Sequence, residues 1–293
     1  MTRPGHFGKL STAEEVTHGI DLTGTSWLIT GCNSGLGYET MRVLSLRGAH
    51  IVGLARTQEK AEAAIAELGA NGVGVACELS DLKSVRRAVK TVLSLGPLHG
   101  IIANAGIMAL PTLQQVAGLE RQFFTNHLGH FVLVTGLMEH LTETARVVML
   151  SSGAHRFAKL GLELDNLSGE ADYDAWRMYG RSKLANILFA RGLATRFTGT
   201  GRTANAVHPG VIDTNLGRHV EDREAMYESL KHILKTVPQG AATQCYVAVR
   251  PELAKISGAY FSDCKEADTL DEGKDDALAE QLWARSEELA ASL

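Results

Sequence analysis

Tyr179 and Lys183 stand four residues apart in YGRSKLAN, residues 179–186, a stretch whose apolar residues recur at helical spacing. Positions i and i+4 are neighbours on a helix surface, so a phenol and an ammonium group share one face. A phenol, with an unperturbed pKa of about 10, is a poor base near neutrality. A neighbouring cation stabilises phenolate and lowers that value, which would let the phenol exchange a proton. Taken alone, the pair reads more simply as an accidental meeting on a solvated helix. Its company elsewhere in the chain reverses that balance.

Directly after the apolar run SWLIT comes TGCNSGLG, which sets Gly31, Gly35 and Gly37 at a turn that opens a helix. Glycines let the backbone turn tightly and approach a pyrophosphate, while the free N–H groups of a helix N-terminus attract its charge. A glycine triplet by itself reads equally well as a flexible loop; the strand before and the helix after supply the context of a dinucleotide site. The second apolar run ends GLARTQEK, placing Ala55 and Arg56 where such a fold often has an acid for the ribose hydroxyls. An arginine there suits a 2′-phosphate, so NADP(H) is expected over NAD(H), against the plain alternative of a solvated arginine.

These residues need elements to hold them. SWLIT, HIVGLA, GVGVACEL, GIIANAG, ARVVMLSS, TANAVHPG and SGAYFS are the strand candidates, with amphipathic helical stretches between them. Near-continuous apolar strands alternating with helices imply a parallel sheet covered on both faces, with right-handed crossovers and ligands at the carboxyl ends of the strands. The expectation is an α/β protein: one domain over residues 1–293, a Rossmann-type doubly wound sheet of about seven parallel strands flanked by helices. Residues 1–23 form an N-terminal extension, and residues 213–236, polar then apolar, interrupt the rhythm late in the chain.

Composition narrows the function. The 293 residues are 45% hydrophobic and 21% charged, as in ordinary globular proteins, and the formal net charge of -4 offers no broad positive surface for nucleic acid. Cys32, Cys77, Cys245 and Cys264 lie far apart without a CxxC pair, which argues against a disulfide framework or zinc knuckle and fits a reducing cytoplasm. No secretory signal or membrane anchor is expected, because the first twenty residues hold no long apolar core and runs such as FVLVTGLM are too short to span a bilayer. His127 and His130 lie three apart without further metal-ligand spacing, so packing or capping is expected and no metal is required.

The glycine loop, ANAG at 103–106, NHLGHF at 126–131, VVMLSS at 147–152, YGRSK and HPG at 208–210 occur in one order across about residues 22–264. Together they resemble the classical short-chain dehydrogenase/reductase family. GLERQFFTNHLGHF, SSGAH, YGRSKLANILFARGLA and AVHPGVIDTNL are similar to the branch holding retinol dehydrogenases and the oxidoreductase domain of WW-domain-containing oxidoreductase.

The resemblance implies a catalytic set of Asn126, Ser152, Tyr179 and Lys183. Tyr179 would be the acid or base, Lys183 would bond the nicotinamide ribose and tune the phenol, and Ser152, rather than its neighbour Ser151, would hold the substrate oxygen. Asn126 would hold a water linking the lysine to solvent, and His155 and His208 stay outside the set. For the cofactor it implies Asn33, Ser34 and Leu36 beside the loop glycines, and Asn104, Ala105 and Gly106 at the adenine ribose. Pro209, Gly210 and Val211 would lie near the nicotinamide amide, with Thr214 facing the phosphates. Glu78, with Leu79 after it, stands where related sequences commonly have aspartate near the adenine.

The family's variable substrate loop corresponds to residues 213–236, which are therefore read as a substrate lid with Leu216, Met226 and Tyr227 lining an apolar pocket; the plainer reading is a solvated helix with one buried face. The function expected is an NADP(H)-dependent oxidoreductase moving hydride between nicotinamide and a bulky apolar alcohol, aldehyde or ketone. The alternative from another class is a non-catalytic NADP(H)-binding regulatory or scaffold protein. A third, an epimerase or dehydratase of nucleotide sugars, has little room in the short C-terminal part. Related enzymes often pair through the helices carrying Asn126 and Tyr179, so the resemblance leaves room for a homo-oligomer while the sequence does not name the oligomeric state.

Overall fold

The computed structural model describes residues 7–293, so the first six residues of the expected N-terminal extension lie outside the described residues. All seven strand candidates form strands: β1 (Ser26–Thr30), β2 (His50–Ala55), β3 (Gly72–Ala76), β4 (Leu98–Ala103), β5 (Leu141–Leu150), β6 (Thr203–His208) and β7 (Tyr260–Ser262). They pair in parallel in the order β7-β6-β5-β4-β1-β2-β3, and a short antiparallel strand, β8 (Lys265–Glu266), caps the β7 edge. The fold is thus the expected doubly wound α/β sheet, with one antiparallel edge strand that the apolar pattern did not show because Lys265 and Glu266 are exposed.

The continuous apolar runs have a direct cause. In β1, Leu28 faces one core cluster with Val52, Phe131 and Phe189, while Trp27 and Ile29 face another with Met41, Leu44 and Val247. A strand buried on both faces cannot alternate polar with apolar residues. The order reverses between β1 and β4, and the crevice at that switch point is where such sheets bind ligands.

Helices α1 (Gly35–Leu46), α2 (Gln58–Leu68) and α3 (Leu82–Leu93) follow the first three strands. Thr57 and Asp81 cap the starts of α2 and α3 with their side chains, and Gly69 ends α2 in the left-handed conformation. A longer helical run starts at Arg121, widens over Phe124–Leu128, where the Gly129 N–H reaches the Phe124 carbonyl, and continues as α4 (Gly129–Leu137). Such a widened turn often marks a functional position, and Asn126 sits in its middle. Helix α5 (Ala175–Arg196) carries Tyr179 and Lys183 and is capped by Asp174. Helix α6 (Val237–Val249) begins with a capping box of Thr236 and Gln239, and a short N-terminal helix, Ala13–Val16, packs against α1 and α6.

Helix α7 (Asp276–Ser292) closes the chain over α5. Trp283 joins Phe131 and Phe189, the Arg196 guanidinium stacks 3.4 Å from the Trp283 ring, and Ser286 bonds His127 at 2.9 Å. This helix therefore packs on both helices, the one carrying Asn126 and the one carrying Tyr179.

Residues 213–236 fold as a turn at Asn215–His219 and a short helix at Arg223–Ser229 with one buried side chain, Tyr227. Both ends are anchored by parallel pairing of Val211–Ile212 with Leu234–Lys235. Lys235 is buried there and bonds Asp263 and the Pro209 carbonyl.

Candidate active site

A cleft of about 1200 Å³ opens at the carboxyl ends of the strands. Gly31 to Leu36 without Cys32 line it, as do Arg56, Glu78, Leu79, the Asn104–Gly106 stretch, Ser152, Tyr179, Lys183, Pro209 to Val211 and Thr214. Gly37 and Asn126 are not on its surface. Both lie behind it, and each has a structural job there.

A Cβ on Gly37 would meet the Gly31 carbonyl oxygen at 2.1 Å and Asn104 Nδ2 at 2.6 Å, so this residue lets α1 pass directly beneath the turn. Gly31 itself holds φ at +70°, in the left-handed region that favours glycine. Ser34 makes no side-chain cap, which leaves the first-turn N–H groups of α1 available to an anion. Thr214 faces this opening: its Cγ2 lies 3.5 Å from where a Gly35 Cβ would stand. Asn104 supports the turn, donating to the Thr30 carbonyl at 2.9 Å. An uncapped helix start and a backbone that no Cβ could share fit the pyrophosphate of a dinucleotide, and Arg56 is exposed with no acid paired to it among the described residues.

Asn126 is fully buried, and its amide oxygen and both its amide hydrogens are bonded. Oδ1 accepts from Ile107 N at 2.9 Å, and Nδ2 donates to the Ile107 carbonyl and to Ser182 Oγ, each at 2.9 Å. The side chain thus pins the backbone just after ANAG, and no bond joins it to Lys183. Behind it, Thr30 Oγ1 accepts from the N–H groups of Asn104 and Ala105 and gives its own proton to His130 Nε2, all at 2.9 Å. His130 is then the neutral tautomer protonated on Nδ1, which donates to the Asn126 carbonyl at 2.9 Å. Burial, helped by the Lys183 charge, pushes His130 down to about 4. Packing and bonding account for both histidines, and among the described residues no cluster of metal-ligating side chains occurs.

Tyr179 lies on the cleft side of α5, with Lys183 Nζ 5.6 Å from its ring centroid. The expectation that this cation lowers the phenol's pKa meets a stronger effect. Burial pushes the Tyr179 hydroxyl well above its ordinary value, and the opposing pull comes from hydrogen bonding with the Ser152 side chain, while Tyr227 adds to the rise. Lys183 is itself buried, which pushes its amine down to about 8, and it donates to the Leu150 carbonyl at 3.1 Å. A desolvated amine that is itself less willing to carry charge is a weaker stabiliser of phenolate than an exposed one.

Ser152 is held by its surroundings. His155 Nδ1 donates to the Ser152 carbonyl at 2.7 Å, and Ser152 Oγ accepts from Ala154 N at 3.1 Å. His208 Nδ1 accepts from Gly153 N at 2.9 Å, so it is unprotonated there, and burial pushes it down to about 4. Ser151 points away, donating to the Lys183 carbonyl at 2.8 Å.

Met108, Ala109 and Tyr179 form an apolar cluster with Trp176 and Leu216 against it, and Met226 and Tyr227 line the same cleft. Leu216, Met226 and Tyr227 were legible from sequence. Trp176, three residues before Tyr179 on the same helix face, had that spacing as its signal. Lys60, Arg121, Arg218 and His219 also line the cleft and were not singled out, since nothing in their local sequence tells them from ordinary solvated charges.

Known proteins resemble this chain over most of its length. The family model described as short chain dehydrogenase matches residues 26–225. The chain is 39% identical to the Brassica napus protein named short-chain dehydrogenase TIC 32 B, chloroplastic, covering 98% of this chain and 95% of the relative. It is 38% identical to human retinol dehydrogenase 14, covering 92% and 87% respectively. Among solved structures, a short-chain dehydrogenase from Burkholderia cenocepacia, determined in complex with NADP, superposes with a TM-score of 0.68 at 25% identity, covering 82% of this chain and 96% of that one. No helix among the described residues is long and apolar enough to cross a membrane.

Proposed function

The chain belongs to the short-chain dehydrogenase/reductase family and is an oxidoreductase of it, and from that premise we propose that it is NADP(H)-dependent and interconverts a bulky apolar alcohol with its aldehyde or ketone. The observation that carries this reading is one cleft shared by an uncapped helix N-terminus and by Tyr179, Ser152 and Lys183.

The backbone from Gly31 to Leu36, with Thr214 opposite, would hold the pyrophosphate, and Gly37 would serve by letting α1 approach. Arg56 would take the 2′-phosphate, while Glu78, Leu79 and the Asn104–Gly106 stretch would line the adenosine half. Pro209, Gly210 and Val211 would flank the nicotinamide carboxamide, and Lys183 would hold the ribose hydroxyls. Support for the phosphorylated cofactor comes from the missing acid at the end of β2 and from the NADP bound to the Burkholderia protein. Bound nicotinamide supplies or accepts hydride.

Tyr179 gives its proton to the carbonyl oxygen in reduction and takes one from the alcohol in oxidation. Ser152 donates to that same oxygen and stabilises the charge developing there. Burial keeps the phenol protonated, which suits the acid role; in oxidation the phenol must first release its proton to solvent, and the Lys183 ammonium, 5.6 Å from its ring centroid, would stabilise the phenolate that remains. Asn126 acts as a positioning residue that sets Ile107 and hence Gly106. Residues 213–236 form the substrate lid, and Leu216, Met226 and Tyr227 on it, with Met108 and Trp176 below, suit an apolar substrate. Four free, buried cysteines suit a reducing compartment such as the cytoplasm.

The test is Tyr179→Phe, assayed by nicotinamide absorbance with a panel of aldehydes, ketones and secondary alcohols. Turnover is expected to fall by about 10²–10⁴-fold, with NADPH affinity retained. Undiminished turnover overturns the mechanism.

A further inference from the structure

Four cationic side chains line the cleft with no acid paired to them among the described residues. Arg56 and Lys60 follow β2, Arg121 opens the helical run that leads to Asn126, and Arg218 stands in the 213–236 segment; His219 is beside it. Among the described residues none of these four forms an ion pair. Their bonds run to neutral groups: Arg121 donates to Gln114 Oε1 at 2.6 Å, and Arg218 to the Asn215 carbonyl at 2.9 Å. The carboxylate of Glu78, in the same cleft, is occupied by the N–H and hydroxyl of Ser80.

These charges sense one another. Burial, followed by Arg56 and Arg121, pulls the Arg218 guanidinium below its ordinary value, and His219 is pulled down by burial and then by Arg218, Arg121 and Arg56. Like charges supplied by three separate elements repel unless an anion lies between them, and a phosphate ester offers the charge and the several acceptor oxygens that arginines bond best.

We infer that Arg218 and Arg121 join Arg56 as a clasp for the phosphate ester on the adenosine ribose, so that a phosphorylated dinucleotide draws the 213–236 segment over the cleft. The inference rests on the NADP(H) reading above and adds that cofactor choice is shared between the end of β2 and the lid. Because the segment is pinned at both ends by the Val211–Ile212 and Leu234–Lys235 pairing, a contact made at Arg218 orders the span between them. Binding of the cofactor's phosphate and covering of the substrate pocket then become one event, since Leu216, two residues earlier, packs against the Tyr179 cluster.

The experiment measures binding of 2′,5′-ADP and 5′-ADP by calorimetry to the parent, Arg218→Gln and Arg121→Gln, with hydrogen exchange followed over residues 213–233. Arg218 and Arg121 are exposed, and unchanged melting temperatures check that the variants fold. The parent is expected to prefer 2′,5′-ADP by about tenfold or more, each variant to lose about tenfold for 2′,5′-ADP and less than about twofold for 5′-ADP. 2′,5′-ADP should slow exchange across the lid in the parent and leave it fast in Arg218→Gln. A variant that keeps the parent's preference, or loses both nucleotides equally, overturns the clasp and spares the cofactor reading. A parent without preference between the two nucleotides overturns both.

Discussion

Placing one methyl group on Gly37 tests whether the glycine loop is a designed close approach or merely a loose turn. In Gly37→Ala the new Cβ would stand 2.1 Å from the Gly31 carbonyl oxygen, 2.8 Å from its carbon and 2.6 Å from Asn104 Nδ2. Ordinary van der Waals contact begins near 3.4 Å, so the Gly31 peptide must retreat by about an ångström. It has little freedom to do so: Gly31 N and Cys32 N both donate to the Leu54 carbonyl, at 2.8 and 3.1 Å, and Asn104 is tied to the Thr30 carbonyl. Overpacking against fixed backbone costs about 1–3 kcal/mol, and here the retreating peptide is the wall that would face the pyrophosphate. The expected result is a lowered midpoint in denaturant unfolding with an unchanged slope, together with NADPH affinity reduced by about tenfold or more. Gly96→Ala is the control, because a Cβ there meets nothing within 4 Å, and its stability should stay within about 0.5 kcal/mol of the parent. If Gly37→Ala matched that control in both stability and affinity, the claim that helix and turn touch through this residue would be refuted.

The buried amine gives a pH signature. Lys183 sits at about 8 against an ordinary 10.5, so between those values the unfolded chain holds a proton that the folded chain has released. Folding stability attributable to this group therefore rises with pH across that window, and its penalty is fully present below pH 8. Unfolding measured from pH 7 to about pH 10 should show parent stability gaining on Lys183→Met as pH rises; a constant difference would contradict the assignment. A second stability test concerns Glu120 and Arg181, both fully buried with 3.8 Å between Oε2 and Nη2. Glu120 also accepts from the N–H groups of Gln122 and Phe123, at the start of the run that carries Asn126, so this pair links that run to the Tyr179 helix. Arg181→Met alone should cost about 3–5 kcal/mol by stranding the carboxylate, and Glu120→Gln with Arg181→Met should cost less than the sum of the single changes. Additive losses in the double-mutant cycle would show that the two charges act independently.

Much of this protein was legible before any coordinates. Each of the seven parallel strands coincides with an apolar run, because a strand covered on both faces must be apolar throughout. The 213–236 segment declared itself by breaking that rhythm, and Tyr179 and Lys183 by their spacing on one helix. The β8 edge was illegible: two exposed charged residues carry no periodicity, and their pairing depends on β7 being an edge. Asn126 shows a different limit. Its place in NHLGHF pointed to the site, yet only the approach of Ile107 and Ser182 reveals that its amide is already used.

What the sequence by itself determined is whatever depends on neighbours along the chain: strand and helix periods, the tight turn that glycine permits, the caps, and which residue types face one another a helical turn apart. What only the tertiary structure decided is whatever depends on desolvation and on charges brought from distant segments. Burial, a property of the whole packed fold, raises the Tyr179 hydroxyl and lowers the Lys183 amine, and so outweighs the local pairing that first drew notice to them. The presence of Arg56, Arg121 and Arg218 around one cleft likewise joins positions far apart in the chain, because electrostatic energy follows distance through space rather than distance along the backbone.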